Sequence, residues 1–269
     1  MLIAGIAFFF LLGTTIASFL NVCIDRLPAG QSLISPPSHC AECGHRLGPT
    51  DLIPIFSYLW LRGRCRYCGA RISSRLLWVE LGTGLLFGFF SWRYGLSWEL
   101  LVVMVFSSIF IVLSVIDLDR QLILNKIVYP AALLALVIAI FLPPSTVAAS
   151  GSATANFVPS FLPQAGIAQA AIGAGAGLVL FTIIIIVSRG GMGWGDAKMA
   201  GLVGAVTGYL IPLAVFVAVV AGGLLAVVLL VTGVRKRKQA IPFGPFLAIG
   251  AVVAVLWGNA IANWYTGRF

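Results

Sequence analysis

The chain has 269 residues, of which 60% are hydrophobic and only 9% are charged, and its mean hydropathy is +1.06. This composition excludes an ordinary soluble globular protein and indicates that the lipid bilayer is the solvent for most of the chain. The net charge of +9 at pH 7 raises the alternative of a nucleic-acid-binding protein, which the positions of the basic residues must decide.

Apolar runs of roughly the 20 residues needed to cross a bilayer recur along the chain. They predict eight transmembrane helices, at about residues 2–20, 76–93, 99–116, 127–143, 166–188, 199–212, 214–232 and 242–262. The first run has no basic residue before it and no small-residue cleavage site after it. We therefore expect a retained helix rather than a secretory signal.

Basic residues fall almost entirely on one side of this predicted topology. If the N terminus lies outside, all of the 17 lysines and arginines except Arg93 and Arg268 face the inside. This is the distribution that the positive-inside rule requires, so the basic excess sets the topology and we expect no nucleic-acid partner. The basic run at residues 235–238 can in addition contact anionic lipid head groups.

A polar, cysteine-rich segment at about residues 21–75 is the only stretch long enough for a small soluble module. It contains two CxxC motifs, each followed at once by a glycine that permits a tight turn, Gly44 or Gly69. Four thiolates at this spacing can close a tetrahedron around zinc. The predicted ligands are Cys40, Cys43, Cys65 and Cys68.

Two other interpretations of these cysteines compete with zinc. Disulfides are disfavoured because the predicted topology places the module in the cytoplasm, where thiols stay reduced, and a thioredoxin-like redox site lacks a surrounding βαβ pattern. We expect a structural metal, since four cysteine ligands leave no open coordination position. His39 and His45 flank the first motif and could replace a ligand, whereas Cys23 is expected to be a buried small apolar residue.

Acidic residues are scarce, and three of the eight lie at predicted helix ends on the inner side. Asp117 and Asp119 end the third span, and Asp196 lies where the chain re-enters the membrane. Ionisable groups in such positions are costly and indicate function. Two carboxyls within a few ångströms cannot both ionise, so one can activate water against a peptide carbonyl while the protonated one polarises that carbonyl or serves the leaving amine.

The glycines before Asp196 fit the same chemistry. Gly193 and Gly195 let backbone approach an extended substrate and allow dihedral angles that side chains forbid. Simpler structural roles remain open at this point. The first pair of aspartates can be an interfacial or capping pair beside Arg120, and Asp196 can be the N-cap of the next helix, with Lys198 as its solvated neighbour.

Six short motifs are spread along nearly the whole chain. They lie at residues 17–22 with 26–28, 35–40 with Cys43 and Gly44, 72–75 with 79–81, 116–119 with Asn125, 193–196, and 241–246. Taken in this order they resemble the motifs of the type IV prepilin peptidases, the bifunctional leader peptidase and N-methyltransferase family.

The resemblance implies a GxGD-type intramembrane aspartyl protease in the bacterial inner membrane, with its active site at the cytoplasmic face. By similarity Asp117 and Asp196 are catalytic. The accessory residues are Asp119, Gly193, Gly195 and Lys198. The implied substrate is a prepilin or pseudopilin, cut after a glycine and then N-methylated, which implies S-adenosylmethionine as a cofactor beside the structural zinc.

We therefore expect an all-α polytopic membrane protein in three parts. These are a first transmembrane helix at residues 1–20, a cytoplasmic four-cysteine zinc module, similar to a zinc ribbon, at 21–75 and a protease core of about seven helices at 76–269. No glycine-rich strand-to-helix loop for a nucleoside cofactor is visible, so the place of the methyl donor is not predicted.

Three alternatives remain. A preflagellin-like peptidase without methyl transfer would share the aspartates but lack the cysteine module. A proton-coupled transporter would also carry membrane acids, although near mid-membrane and with repeated halves. A zinc-bearing membrane scaffold would need the cysteine module alone.

Overall fold

A computed structural model describes residues 2–144, 166–188, 192–233 and 241–265 of the chain. These residues are helical, with turns and isolated β-bridges but no strand among them. Most of the uncharged loop expected at residues 143–164, and the basic run at 235–238, lie outside the described residues. The chain divides into two compact units, one up to Leu100 and one from Leu101 onward.

The first unit is built on two long helices, α1 (Leu2–Arg26) and α3 (Ser74–Tyr94). They are antiparallel, because Gly5 near the start of α1 faces Ser91 while the Asn21 side-chain amide donates to the Leu76 carbonyl at 3.3 Å. Glycines bring the two backbones close: a Cβ added to Gly13 would lie 2.9 Å from the Phe87 Cβ. Helix α1 runs to Arg26, beyond residue 20, where its span was predicted to end.

Between these helices the chain forms the cysteine-rich segment. It contains a short 3₁₀ helix, Pro49–Leu52, and one short α-helix, α2 (Phe56–Trp60). Helix α3 then starts at an N-cap, Ser73, whose hydroxyl accepts from the Arg75 amide. It stops at Gly95, which takes the left-handed φ of +61° that a side chain would disfavour.

Six α-helices of the second unit are described, joined in one place by a 3₁₀ turn, Gly208–Leu210. They are α4 (Trp98–Arg120, whose first turn precedes Leu101), α5 (Asn125–Phe141), α6 (Gly166–Val187), α7 (Trp194–Thr207), α8 (Ile211–Val231) and α9 (Gly244–Tyr265). Helix α7 occupies the centre, and most of its residues from Ala197 to Thr207 are buried. Leu113, Met199 and Leu247 are fully buried in this core.

Helices α6 and α7 pack backbone against backbone. A Cβ built on Gly173 would collide with the Gly204 carbonyl oxygen, and one on Gly177 with the Ala200 carbonyl oxygen, whereas one on Gly175 would meet nothing within 4 Å. The GxxxG spacing of Gly173 and Gly177 thus places two glycines on the face where the helix backbones approach closely.

Five described segments are long and apolar enough to cross a membrane. They are Leu2–Arg26, Trp98–Arg120, Gly166–Val187, Trp194–Val231 and Gly244–Tyr265. Such segments fit a multi-pass membrane protein. The two spans expected at residues 199–212 and 214–232 belong to a single 38-residue segment of this set, and the total of eight spans stays a prediction.

Candidate active site and metal centre

Asp117 lies near the C-terminal end of α4 and is buried, with 5% of its surface exposed. Its Oδ2 accepts a hydrogen bond from the Gly244 backbone amide at 2.9 Å. Gly244 begins α9, where the first amides have no partner inside the helix. The start of α9 thus fixes the Asp117 carboxyl group at the end of α4.

Asp196 lies in the first turn of α7 and is half-buried. The N-cap of α7 is Gly193, so the alternative that Asp196 caps this helix is wrong; it stands three residues later. Its amide donates to the Gly193 carbonyl at 3.1 Å. The carboxyls of Asp196 and Asp117 are near enough to interact electrostatically, so the structure brings the two predicted acids together.

The accessory residues surround Asp196 in different ways. A Cβ on Gly195 would approach the Ile123 Cβ to 3.0 Å, so the missing side chain lets the start of α7 pack against the segment between α4 and α5. Gly193 is exposed. Asp119 is also exposed, at the C-terminal end of α4.

Lys198 is more than a solvated neighbour of Asp196. It is half-buried, and its Nζ donates to the Asn125 Oδ1 at 2.9 Å and lies 5.7 Å from the centre of the Tyr129 ring. The ammonium group thereby ties α7 to the first turns of α5. It positions the segment that carries Asp196.

Sequence reasoning missed Gly244 as a residue of this site. The motif at 241–246 contributed to the family resemblance, but no role was assigned to it. A Cβ on Gly244 would lie 2.7 Å from the Asp117 Oδ2, so a side chain at this position would crowd the carboxyl. The available signal was a glycine set between Pro242-Phe243 and Pro245, a pattern typical of a helix start.

The four predicted metal ligands come together in the first unit. The Sγ atoms of Cys40, Cys43, Cys65 and Cys68 all lie within 4.8 Å of one another. Among the described residues this is the cluster of metal-ligating groups that can hold an ion. All five cysteines of the chain are free thiols, which does not match the disulfide alternative. Four thiol donors in one compact group fit zinc.

The two halves of this centre repeat the same local structure. In each motif the first cysteine amide donates to a carbonyl five residues later, Cys40 to His45 at 2.9 Å and Cys65 to Ala70 at 2.8 Å. Gly44 and Gly69 turn the chain with φ of +69° and +73°, as the sequence predicted. Backbone hydrogen bonds from Cys43 and Glu42 lower the pKa of Cys40 to about 7, whereas hydrogen bonds to the other three thiols help to raise that of Cys68.

The two histidines have other contacts. The His45 ring stacks on Tyr67 with ring centres 3.6 Å apart, and the His39 Nδ1 lies 3.0 Å from the Pro37 carbonyl oxygen. Asp51 joins the first half of the module to the second, because its carboxylate accepts from Arg66 at 2.7 Å and from the Tyr67 hydroxyl at 3.3 Å. These contacts hold the two cysteine motifs in register.

Apolar helices of spanning length and two interacting carboxyls at helix ends define a helical membrane protein with an aspartate-pair site. Residues 11–94 match the family model described as the bacterial peptidase A24 N-terminal domain, and residues 104–227 match that of the type IV leader peptidase family. The chain belongs to this family.

Curated relatives carry the name prepilin leader peptidase/N-methyltransferase. One from Pseudomonas putida is 36% identical over 93% of this chain and 90% of its own length, and one from Bacillus subtilis is 34% identical over 95% and 96%. No solved structure matches the chain significantly. The family resemblance is thereby confirmed, and it supports prepilin cleavage and N-methylation as the activities of the chain.

Proposed function

We propose that the chain removes the leader from type IV prepilins or pseudopilins at the cytoplasmic face of the bacterial inner membrane, and then methylates the new N terminus. Asp117 and Asp196 are the catalytic carboxyls. The observation that carries this proposal is the buried Asp117 carboxyl, held by the Gly244 amide within electrostatic reach of Asp196.

The aspartate pair works by sharing a proton. Repulsion between two nearby carboxylates keeps one of them protonated. The ionised partner takes a proton from water, whose oxygen attacks the peptide carbonyl, while the protonated partner donates to that carbonyl or to the leaving amine. Lys198 and Gly195 hold the start of α7, and therefore Asp196, in position for this chemistry.

The substrate must be extended at the bond that is cut. A prepilin has a short basic leader followed by an apolar helix, so its scissile bond lies where the helix leaves the membrane. A glycine before the cut lets that helix break and leaves room for backbone beside Gly193. The basic residues predicted on the inner side support a cytoplasmic site.

Two groups complete the proposal. Zinc bound by the four cysteines is structural, and residues 21–75 form a cytoplasmic module around it, after the first span at 1–20 and before a membrane core at 76–269. When bound, S-adenosylmethionine supplies a methyl group to the amine nitrogen of the new N terminus, which loses one proton as the N–C bond forms and the sulfonium becomes a thioether.

The test is a reconstituted reaction. Membranes containing the protein are mixed with a purified prepilin, with and without S-adenosylmethionine, and the mature N terminus is sequenced by mass spectrometry. We expect cleavage after the glycine in both mixtures, and a methyl group only with the donor. Cleavage without methylation in both would instead favour the preflagellin-like alternative, and an intact prepilin would refute the peptidase assignment.

A further inference from the structure

The first unit contains a cavity of about 430 Å³ that includes neither catalytic aspartate. Residues from α1, from both cysteine motifs, from α2 and from the start of α3 line it. Its volume lies within the range of roughly 300–1,000 Å³ that is typical of sites for small organic ligands. Apolar side chains such as Leu61 and Leu76 alternate in its wall with polar ones such as Ser57 and Tyr58.

Glu80 gives this cavity a specific chemistry. Only 8% of Glu80 is exposed, and its Oε2 accepts from the Ile55 amide at 2.7 Å. Its Oε1 has no hydrogen-bond partner among the described residues, although Glu80 lines the cavity. This oxygen keeps accessible surface, so it can accept a hydrogen bond from a cationic or donor group in the cavity.

The zinc site does not account for the cavity. Two of the four cysteines, Cys40 and Cys65, reach its wall, and a single ion fills only a small part of about 430 Å³. Glu80 lies on α3 and is not one of the four clustered metal ligands. Space and a carboxylate for a larger, positively charged molecule therefore remain.

We propose that this cavity binds S-adenosylmethionine and that Glu80 faces one of its cationic groups, the sulfonium or the ammonium. The inference rests on the proposed methyl donor and assigns it a place in the chain. Leu61 and Leu76 offer an apolar wall to the adenine ring. The sequence contains no visible glycine-rich loop for a nucleoside. In this proposal a pocket between helices and the zinc module binds the nucleoside instead.

The test measures binding rather than methylation. The full chain is purified in nanodiscs, and its affinity for S-adenosylmethionine is measured by calorimetry for wild type, Glu80→Gln and Ser57→Phe. Gln keeps an oxygen for the Ile55 amide but loses the charge, so we expect affinity to fall about tenfold or more. Phe at position 57 fills the cavity and should abolish binding. Glu99→Gln, outside the cavity wall, is the matched control and should bind as wild type.

Zinc content and thermal unfolding report whether each variant is folded. Weak binding by both cavity variants, with one zinc retained, supports the site. If both cavity variants bind S-adenosylmethionine as tightly as the wild type, the cavity is not its binding site, although S-adenosylmethionine can still be the methyl donor. A wild-type chain that does not bind S-adenosylmethionine would contradict the donor itself, so the two failures are distinguishable.

A second inference rests on the surface of the same unit. Ile53, Phe56, Leu59 and Trp60 form an exposed apolar ridge on and just before α2, with Trp60 74% exposed. The Phe56 and Trp60 rings stack with centres 6.0 Å apart. Exposed Arg62 and Arg64 follow immediately. An aromatic ridge beside arginines is typical of the membrane–water interface.

The position of the ridge along α3 also fits the bilayer interface. The Ile55 amide is bonded to Glu80, which is about 9 Å along α3 from its first residue and inside the predicted second span. We infer that the apolar ridge sits in the interface of the lipid bilayer, with Arg62 and Arg64 at its anionic head groups. The cysteine module is then fastened to the membrane surface at a point other than α1 and α3.

Quenching by lipids brominated near the head groups tests this position. The emission of Trp60 is obtained by subtracting the spectrum of Trp60→Phe from that of the wild type in nanodiscs. The same subtraction with Trp92→Phe gives the emission of Trp92, an exposed tryptophan of α3. We expect brominated lipid to quench Trp60 strongly and aqueous iodide to quench it weakly. Quenching of Trp60 by iodide but not by the lipid would overturn the inference.

Discussion

Two carboxyls on different helices carry the proposed reaction at the residue scale. Changing either Asp117 or Asp196 to Asn keeps the size of the side chain but removes the shared proton, so we expect prepilin cleavage to fall at least about 10³-fold. Membrane insertion should be unchanged. The matched control is Glu99→Gln at the other end of α4, which should cleave normally. Substantial cleavage by Asp117→Asn would move the role to Asp119 or reject the mechanism.

Gly244 is predicted to be sensitive to substitution, although less so than the two acids. Its substitution by Ala places a methyl group 2.7 Å from the Asp117 Oδ2, which must displace either the carboxyl or the start of α9. We expect cleavage to fall roughly tenfold to 10²-fold, because small misplacements of catalytic groups are costly. Gly223→Ala in α8, where the added Cβ meets nothing within 4 Å, should retain full activity in the same assay.

The sequence alone predicted the two catalytic acids, but it did not predict the residues that contact them. Asp117 and Asp196 stood out because carboxyls at the ends of membrane helices are rare and costly. Gly244 and the Lys198–Asn125 bond could not be found in the same way, because each depends on which helix ends meet in space. The cavity beside Glu80 likewise arises between elements far apart in the chain, and no local pattern marks it.

At the scale of elements, the contact between α6 and α7 has a simple test. Gly173→Ala forces a methyl group into the backbone of α7, an overpacking that costs about 1–3 kcal/mol. The thermal unfolding midpoint should fall by several degrees. Gly175→Ala, on another face of the same helix, should be neutral or slightly stabilising because alanine favours helix. Equal midpoints for the two variants would contradict the packing described.

The zinc module is predicted to be a structural unit. Elemental analysis should find one zinc per chain, and Cys65→Ser should lower that content and make the segment between α1 and α3 sensitive to protease. Cys23→Ser, which alters a buried cysteine outside the cluster, should keep the metal. Chelation of the wild type should reproduce the protease sensitivity. Metal-free protein with two disulfides would refute the assignment.

The helices were predictable because the membrane strongly restricts which backbone structures can cross it. Long apolar runs must satisfy their backbone hydrogen bonds internally, so each becomes a helix. Their bounds were less predictable: α1 continues through the polar residues to Arg26, since its last turns pack against the start of α3. Likewise, the sequence predicted a break near residue 213, whereas the structure has a 3₁₀ turn at Gly208–Leu210, where Gly208 has a φ of +57°.

On the scale of the whole molecule, charge and hydropathy predict that the chemistry takes place at one membrane face. Nearly all basic residues fall on the predicted inner side, and the two proposed catalytic acids lie at helix ends of that side rather than at mid-span. A site at a helix end reaches only those peptide bonds that lie at the same depth. The position of the substrate in the bilayer should therefore decide whether it is cut.

This dependence on depth can be measured with altered prepilins. Inserting about four apolar residues on the leader side of the cleavage glycine, next to it, moves the scissile bond roughly 6 Å deeper along the helix. We expect cleavage to be strongly suppressed, because the bond leaves the plane of Asp117 and Asp196. A control precursor with four polar residues added at the very N terminus of the leader keeps the bond at its original depth and should be cut normally. Mass spectrometry of the mature N terminus reads both results, and efficient cleavage of the deepened precursor at the original glycine would show that the carboxyls do not act at the interface.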